Sequence, residues 1–269
     1  MSTWEAQLPE PYHTLSVDRV ARTEWITFQR TDQMNAMSMR MLREMTAALE
    51  AAMADDGVRA IVLTGSGRAF CAGADLKEVA GARPEPGEPD LLDLVDRAFG
   101  LIRNGPRPVI AAVNGLAMAG GLEMVMACDL VFAAESARLG DAHSNFGVFP
   151  GAGGAAILPR RIGLNRAKYL LFSGETVPAR EMMDWGLVNK VVPDADLRQT
   201  VQAFTDTLSD KSPAVLRRMK AVANRSMNVD EPAALAEEML NLRAHMRSWD
   251  MREGLTAFAE KRKPQFRGY

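Results

Sequence analysis

The sequence predicts an α/β fold with a largely parallel sheet, followed by a helical C-terminal region. Short aliphatic segments alternate with segments in which apolar residues recur every three or four positions, as when strands alternate with helices. The aliphatic segments have uninterruptedly apolar centres, as in RAIVLTG at 59–65, which is typical of parallel strands buried on both faces. After Pro193 only helical patterns remain. We therefore expect a core domain at 1–196 and a helical region at 197–269.

Local signals predict the individual elements. The alternating segments TLSVDRV and EWITFQR, with polar and small residues between them, predict a β-hairpin. Ser38 is the predicted N-cap of a helix whose apolar positions continue to Met53. Prolines and glycines at 81–90 predict a surface loop. The remaining predicted elements are buried strands at 59–65, 108–114, 129–135 and 187–192, a helix at 90–104, and helices that begin near Ser212 and Asp230.

Composition disfavours several classes of function. The chain of 269 residues has 32 basic and 34 acidic side chains, a balance that argues against a general binder of nucleic acid or acidic membranes. Cys71 and Cys128 lack metal-ligand spacing, so we expect reduced thiols in an intracellular protein. No stretch approaches the about 18 uninterrupted apolar residues of a membrane span, and no secretory signal pattern is found. A cytoplasmic location is therefore predicted.

A glycine-containing turn follows the first buried strand. In GSGRAFCAGADLKEV, at 65–79, the glycines allow a tight turn and a close approach of the backbone to a ligand. Their spacing departs from G-x-G-x-x-G because position 70 is phenylalanine, so a dinucleotide site is not predicted. A strand-to-helix turn without any ligand is an equally good interpretation of the spacing alone.

A second turn of the same kind follows the strand at 108–114. In VNGLAMAGGLEMVMACDL, at 113–130, Gly120 and Gly121 precede a helix whose first N–H groups have no acceptor within the helix. Two such N–H groups from neighbouring turns can bind one oxygen atom and form an oxyanion hole. Glu123 lies in the first helical turn among apolar residues, which indicates that it is shielded from solvent. The simpler alternative is an acid that complements the helix dipole.

Two further segments carry polar residues that could have a function. GDAHSNFGVFPGAGG, at 140–154, places His143 between Asp141 and Asn145, ahead of glycines that predict a helix start. His143 is one of only three histidines in the chain. Near the C-terminus, Phe258 precedes the basic cluster 261–263, which is either solvated or a patch that binds phosphate.

Five segments together resemble the crotonase superfamily, the enoyl-CoA hydratase/isomerase family. They are, in order, FCAGADLKE, NGLAMAGGLEMVMACDL, FPGAGGAAILPRRIG, SGETVPAREMMDWGLVNKVV and AFAEKRKPQF. The match runs from about residue 15 to the C-terminus in the order and spacing of the family. It implies a spiral of ββα units and a C-terminal helical region that mediates trimerisation, often into hexamers. It also implies an acyl-CoA thioester substrate and no metal or redox cofactor.

The resemblance also implies roles for individual residues. The N–H groups of Ala72 and Gly120 would form the oxyanion hole for the thioester carbonyl, and Glu123 would be the principal acid/base. Further contacts with the substrate or its CoA portion would come from Gly73, Ala74, Asp75, Leu76, Lys77, Phe258 and Lys261.

The second glutamate of family hydratases is replaced in this chain. The resemblance places it in a G-x-x-E pattern, where the sequence reads GDAH and ends on His143. Asp141 and Asn145 are expected to point differently from His143 if the segment alternates like a strand. His143 either lines the pocket while Glu123 alone isomerises a double bond, or takes the role of the missing acid. In a third interpretation catalysis has changed further, towards thioester hydrolysis or decarboxylation, or has been lost.

The sequence thus favours an enoyl-CoA hydratase or isomerase. The alternative is a C–C hydrolase, lyase or thioesterase that uses His143 in place of the second glutamate. A non-enzymatic RNA-binding or scaffold protein is disfavoured because the best basic segment, RRMKAVANR at 217–225, is short and lies in a nearly neutral chain. A serine hydrolase is disfavoured because the sequence has no G-x-S-x-G segment.

Overall fold

The structure is a computed structural model that describes residues 12–81 and 87–269. The strands in this part of the chain are β1 Leu15–Val20, β2 Thr23–Phe28, β3 Ala60–Gly65, β4 Ala69–Cys71, β5 Val109–Val113, β6 Leu116–Met118, β7 Leu130–Ala134, β8 Arg138–Gly140, β9 Thr176–Pro178 and β10 Lys190–Val192. The helices are α1 Met39–Ala54, α2 Leu76–Gly81, α3 Leu91–Asn104, α4 Gly120–Ala127, α5 Leu158–Ile162, α6 Leu164–Ser173, α7 Ala179–Asp184, α8 Leu197–Ser209, α9 Pro213–Ser226, α10 Glu231–His245 and α11 Trp249–Ala259.

A six-stranded sheet forms the centre of the fold, in the order β1-β2-β3-β5-β7-β10. The β1–β2 hairpin is antiparallel, and every other neighbouring pair in this sheet is parallel. Every residue of β5 is buried, as is every residue of β3 before Gly65. The aliphatic segments therefore form the parallel strands that their composition predicted, and the α/β fold class is confirmed.

A second sheet of four short strands, in the order β4-β6-β8-β9, lies beside the first. Successive strands alternate between the two sheets: β3, β5 and β7 lie in the large sheet, and each is followed by β4, β6 or β8 in the small one. Helices α2 and α4 follow the first two pairs, which gives the predicted spiral of ββα units. Gly121 lets α4 approach β4 closely, because a Cβ there would lie 2.0 Å from the carbonyl oxygen of Cys71.

Most predicted helix boundaries are confirmed. Ser38 Oγ accepts a hydrogen bond from Met41 N–H at 3.1 Å and caps α1, and Ser212 and Asp230 cap α9 and α10. The glycines at 151–154 do not begin a helix, however, because α5 starts only at Leu158. Residues 82–86 of the predicted loop lie outside the described residues.

The C-terminal helices contact the core to different extents. Helix α8 packs on the large sheet, where Thr23 Oγ1 donates to Thr205 Oγ1 and Trp25 Nε1 donates to Gln202 Oε1, both at 2.8 Å. In contrast, α10 has no buried residue. The division of the chain at residue 196 stays a prediction, but α8 shares its core with the α/β part. No helix in residues 12–81 and 87–269 is long and apolar enough to cross a membrane.

Both cysteines are buried, which yields a first testable prediction. Burial raises the pKa of the Cys71 thiol to about 12 and also raises the pKa of Cys128. Because the thiolate is the reactive form, we expect neither thiol to react with an aromatic disulfide reagent at pH 8 in the folded protein. Both should react once guanidinium unfolds the chain. Rapid labelling of either cysteine before unfolding would contradict this expectation.

Candidate active site

A cavity of about 170 Å³ lies where α2, α3, α4 and the segment 142–152 meet. Among the described residues that line it, Glu123 and His143 are the only titratable ones. The other lining side chains are apolar, among them Leu76, Leu91, Val95, Met118, Phe146 and Phe149. An apolar cavity with a few converging polar groups is the usual form of a small-molecule site.

Glu123 is buried in the first turn of α4, as the sequence predicted. Its Oε1 accepts hydrogen bonds from the N–H groups of Ala152 and Gly154, both at 2.8 Å. These two bonds fix the carboxylate and leave Oε2 on the side of His143. The glycine-rich segment that follows His143 thus holds Glu123, a role that sequence reasoning missed.

Gly154 is needed for this contact because the segment passes close to other groups. A Cβ at this position would lie 2.6 Å from Pro150 Cβ and 2.7 Å from Asp141 Oδ2. The same segment is held from the other side by Arg103 in α3, whose Nη2 donates to Ala152 O at 2.8 Å. Ala152 therefore accepts a hydrogen bond from Arg103 and donates one to Glu123. No sequence pattern distinguishes Arg103 from other basic residues near a helix C-terminus.

His143 faces Glu123 across the cavity. Its Nε2 lies 3.9 Å from Glu123 Oε2, which is too long for a hydrogen bond but short enough for one water molecule to contact both atoms. Its Nδ1 lies 2.9 Å and 3.0 Å from the two carboxylate oxygens of Asp141. Burial lowers the pKa of His143, but the hydrogen bond and charge of Asp141, with the charge of Glu123, outweigh it and raise this pKa above its ordinary value.

The expectation that Asp141 points away from the His143 side chain was wrong. Residues two positions apart share one face of a strand, so alternation would itself place Asp141 and His143 on the same side. In the structure, strand β8 ends at Gly140 and 143–146 forms a 3₁₀ turn. The Asp141 carboxylate contacts the imidazole two residues later. Asn145 does point elsewhere, because its Nδ2 donates to Gly174 O at 2.9 Å.

Two backbone N–H groups converge at the cavity, but Ala72 does not supply one of them. Ala72 lines the cavity, yet its N–H donates to Met34 O at 3.1 Å and is therefore occupied. In contrast, the N–H groups of Ala74 and Gly120 have no acceptor within residues 12–81 and 87–269. A Cβ built on Gly120 would lie 3.7 Å from Ala74 N, so the two turns are adjacent. The N–H group that is available beside Gly120 is therefore that of Ala74, and the prediction of Ala72 was wrong.

Of the other residues near Ala72 that were predicted to contact the substrate, some line the cavity and others support the turn beside it. Gly73 adopts φ +103, which favours glycine, and it bends the chain between Ala72 and Ala74. Leu76 lines the cavity. Asp75 forms an ion pair with Arg30 at 2.8 Å, so it stabilises the turn and is not among the lining residues.

Three of the residues predicted to contact CoA, Lys77, Phe258 and Lys261, lie outside the cavity lining. Lys77 is exposed on α2, outside the cavity lining. Phe258, at the end of α11, is 85% exposed, and Lys261 is exposed just beyond it. Neither residue lines the cavity, so their roles in binding CoA stay predictions.

Comparison with known proteins decides the family. A sequence profile described as "Enoyl-CoA hydratase/isomerase" matches residues 21–269. The chain belongs to this family, within the crotonase superfamily. It is 38% identical over 261 residues to a protein of Rhizobium meliloti named "Probable enoyl-CoA hydratase", covering 95% of this chain and 98% of the relative. It is 33% identical over 256 residues to the "Short-chain-enoyl-CoA hydratase" of Clostridium acetobutylicum, covering 92% and 95% respectively.

Solved structures agree with this assignment. The crystal structure of enoyl-CoA hydratase from Bacillus anthracis superimposes with a TM-score of 0.89 at 35% identity and covers 96% of this chain and 100% of its own. DspI of Pseudomonas aeruginosa superimposes with a TM-score of 0.89 at 30% identity, covering 97% and 100%. Membership of the enoyl-CoA hydratase/isomerase family implies an enzyme that acts on an acyl-CoA.

Proposed function

We propose that this family member is a hydratase, a lyase that adds water reversibly to the double bond of a 2-enoyl-CoA thioester. The observation that carries the proposal is the pair formed by Glu123 and His143. Their facing atoms, 3.9 Å apart, leave room for one water oxygen in contact with both, beside two unoccupied backbone donors. Moving a proton between two carbons needs only one such group, whereas adding water requires one proton to be taken and another to be given.

The thioester carbonyl oxygen would accept hydrogen bonds from the N–H groups of Ala74 and Gly120. As water adds to Cβ, negative charge moves through Cα to this oxygen and forms an enolate. Donors that are fixed before the reaction stabilise that charge without reorganising, and one donor of this kind typically lowers the barrier by about 3 kcal/mol. The position of Gly120 at the start of α4 adds the positive end of a helix dipole.

The two side chains balance the protons of the reaction. Glu123, as a carboxylate, takes one proton from the bound water while the water oxygen bonds to Cβ. His143, as an imidazolium, donates its Nε2 proton to Cα, which completes the 3-hydroxyacyl thioester. The neutral imidazole then recovers a proton from the neutral Glu123 carboxyl through the next water, because the two groups are 3.9 Å apart. The raised pKa of His143 supports the imidazolium as the starting form.

Several finer features belong to the same proposal. The apolar lining favours a hydrocarbon acyl group without charged substituents, since a charged group would lose its hydration there. All proton transfers use side chains, so no cofactor is needed beyond the CoA of the substrate. Lys77 and Lys261 are proposed to contact CoA phosphates. The exposed apolar side chains of α10, such as Leu235 and Leu240, support assembly into a trimer or a dimer of trimers. A cytoplasmic location stays a prediction.

Isotope labelling tests the reaction directly. The purified protein is incubated in H₂¹⁸O with 2-enoyl-, 3-enoyl-, 3-hydroxyacyl- and 3-oxoacyl-CoA esters, and the products are followed by mass spectrometry. We expect 2-enoyl-CoA to give 3-hydroxyacyl-CoA with ¹⁸O on Cβ, and 3-hydroxyacyl-CoA to give the enoyl ester. Conversion of 3-enoyl-CoA without label would indicate an isomerase. Release of free CoA or a shortened acyl chain would indicate a thioesterase or a C–C hydrolase, and either result would overturn the proposal.

A further inference from the structure

Asp141 is a fully buried carboxylate with an unusual set of partners. Its relative exposure is 0%, and within the described residues it accepts hydrogen bonds only from His143. One comes from the His143 backbone N–H at 3.1 Å, and the other comes from Nδ1 at 2.9 Å. Asp141 itself is not part of the cavity lining, so it reaches the cavity only through the imidazole.

A purely structural role would not account for this carboxylate. Buried carboxylates are costly unless they are paired, so a structural role is expected to show as hydrogen bonds to other segments of the chain. Asp250, also buried, is such a case: it accepts from the hydroxyl of Ser212 and from the N–H groups of Arg267 and Gly268. Among the described residues, Asp141 instead accepts hydrogen bonds only from a neighbour two residues away.

We propose that Asp141 is a positioning residue for His143, an inference that rests on the proposed function of the Glu123–His143 pair. By binding Nδ1, it fixes the plane of the ring and keeps the proton on Nδ1 when the imidazole is neutral. Nε2 is then the single nitrogen presented to Glu123 and to the substrate. Without Asp141, the ring could turn and present either nitrogen, and only one arrangement would be productive.

Asp141 also determines at which pH the pair works. The groups that face His143 are the carboxylates of Asp141 and Glu123, and Arg103 acts only at a distance through the Ala152 segment. Both carboxylates favour the imidazolium. Activity should therefore be present below the raised pKa of His143 and lost as the pH rises through it. Hydration consumes no net proton, so the Glu123–His143 pair holds one proton both before hydration and before dehydration. Both reactions should therefore lose activity at the same high pH.

The test compares Asp141→Asn with Asp250→Asn, a substitution of another buried aspartate away from the cavity. Asp141→Asn removes the charge while keeping a side chain that can accept from Nδ1. For both hydration and dehydration, we expect the loss of kcat/KM at high pH to begin at a lower pH in this variant. At pH 8 its kcat should be lowered about 10-fold or more while KM changes little. Asp250→Asn should lower the melting temperature and leave this pH dependence in place.

Histidine NMR provides a measurement that does not depend on turnover. The chain has only three histidines, so ¹⁵N-labelled imidazole signals can be assigned with His143→Gln. Wild-type His143 should titrate above its ordinary value and be protonated on Nδ1 when neutral, and Asp141→Asn should lower its pKa. An unchanged titration and an unchanged pH dependence of kcat/KM in Asp141→Asn would overturn the inference. An inactive wild type with the expected titration would instead overturn the proposed function alone.

Discussion

Replacing Glu123 with glutamine is expected to remove nearly all turnover while leaving the fold and the binding of acyl-CoA intact. The amide oxygen of glutamine can still accept hydrogen bonds from the N–H groups of Ala152 and Gly154, so the segment that holds the side chain keeps its partners. The amide cannot take a proton from water, however. A positioned acid/base group typically contributes about 10²–10⁴-fold to rate, so we expect kcat to fall by that amount while KM stays similar.

Glu44→Gln is a matched control for this substitution. Glu44 is as deeply buried as Glu123 and likewise accepts backbone hydrogen bonds, from His13 N–H and Thr14 N–H, but it lies outside the cavity lining. We expect it to affect the melting temperature and to leave kcat unchanged. Steady-state kinetics and calorimetric titration with a CoA thioester measure both effects. Wild-type kcat in Glu123→Gln would show that the proposed mechanism is wrong.

The α/β core was predictable because its strands carry periodicity and burial in their own residues. Strands β3 and β5 are long enough for their aliphatic composition to decide the assignment. The second sheet was not predictable from periodicity, because β4, β6, β8 and β9 have three residues each and too few positions to show a pattern. Only the resemblance to a family implied a spiral of ββα units, and the division into two sheets comes from the structure.

The site was predictable where side chains carry its chemistry and less so where the backbone does. Glu123 and His143 could be singled out by residue type and by the departure from G-x-x-E. A backbone N–H leaves no trace in the sequence, so the choice between Ala72 and Ala74 depended on which one Met34 O occupies in the fold. The hydrogen bond between Asp141 and the His143 ring likewise became clear only from the fold.

The contacts of Glu123 depend on a segment whose role the sequence did not reveal. The chain places a carboxylate in α4 and, about thirty residues later, a glycine-rich segment that brings two N–H groups to it. A Cβ at Gly154 would collide with Asp141, so a side chain there would disturb the partners of both cavity side chains at once. Gly154 therefore has a role in the site even though no helix begins there.

Replacing His143 with alanine is expected to lower kcat/KM for hydration about 10²-fold. The substitution removes the group that would protonate Cα and leaves the buried Asp141 carboxylate, among the described residues, with only the backbone N–H of residue 143 as a donor. His143→Gln serves as a second variant because its amide can still donate a hydrogen bond to Asp141 while lacking a titrating proton. His245→Ala is the control, because His245 is the last residue of α10 and its ring contacts Ser248, outside the cavity.

The His143 variants also decide between the two leading reactions. If Glu123 alone shuttled a proton between carbons, conversion of 3-enoyl- to 2-enoyl-CoA would be the main activity, and it would survive in both variants. If the pair adds water, both variants lose hydration and neither gains isomerisation. Chemical rescue sharpens this choice: added imidazole should restore part of the hydration rate in His143→Ala, because the deleted ring leaves space beside Glu123. Hydration within about 3-fold of wild type in both variants would contradict a role for His143 in proton transfer.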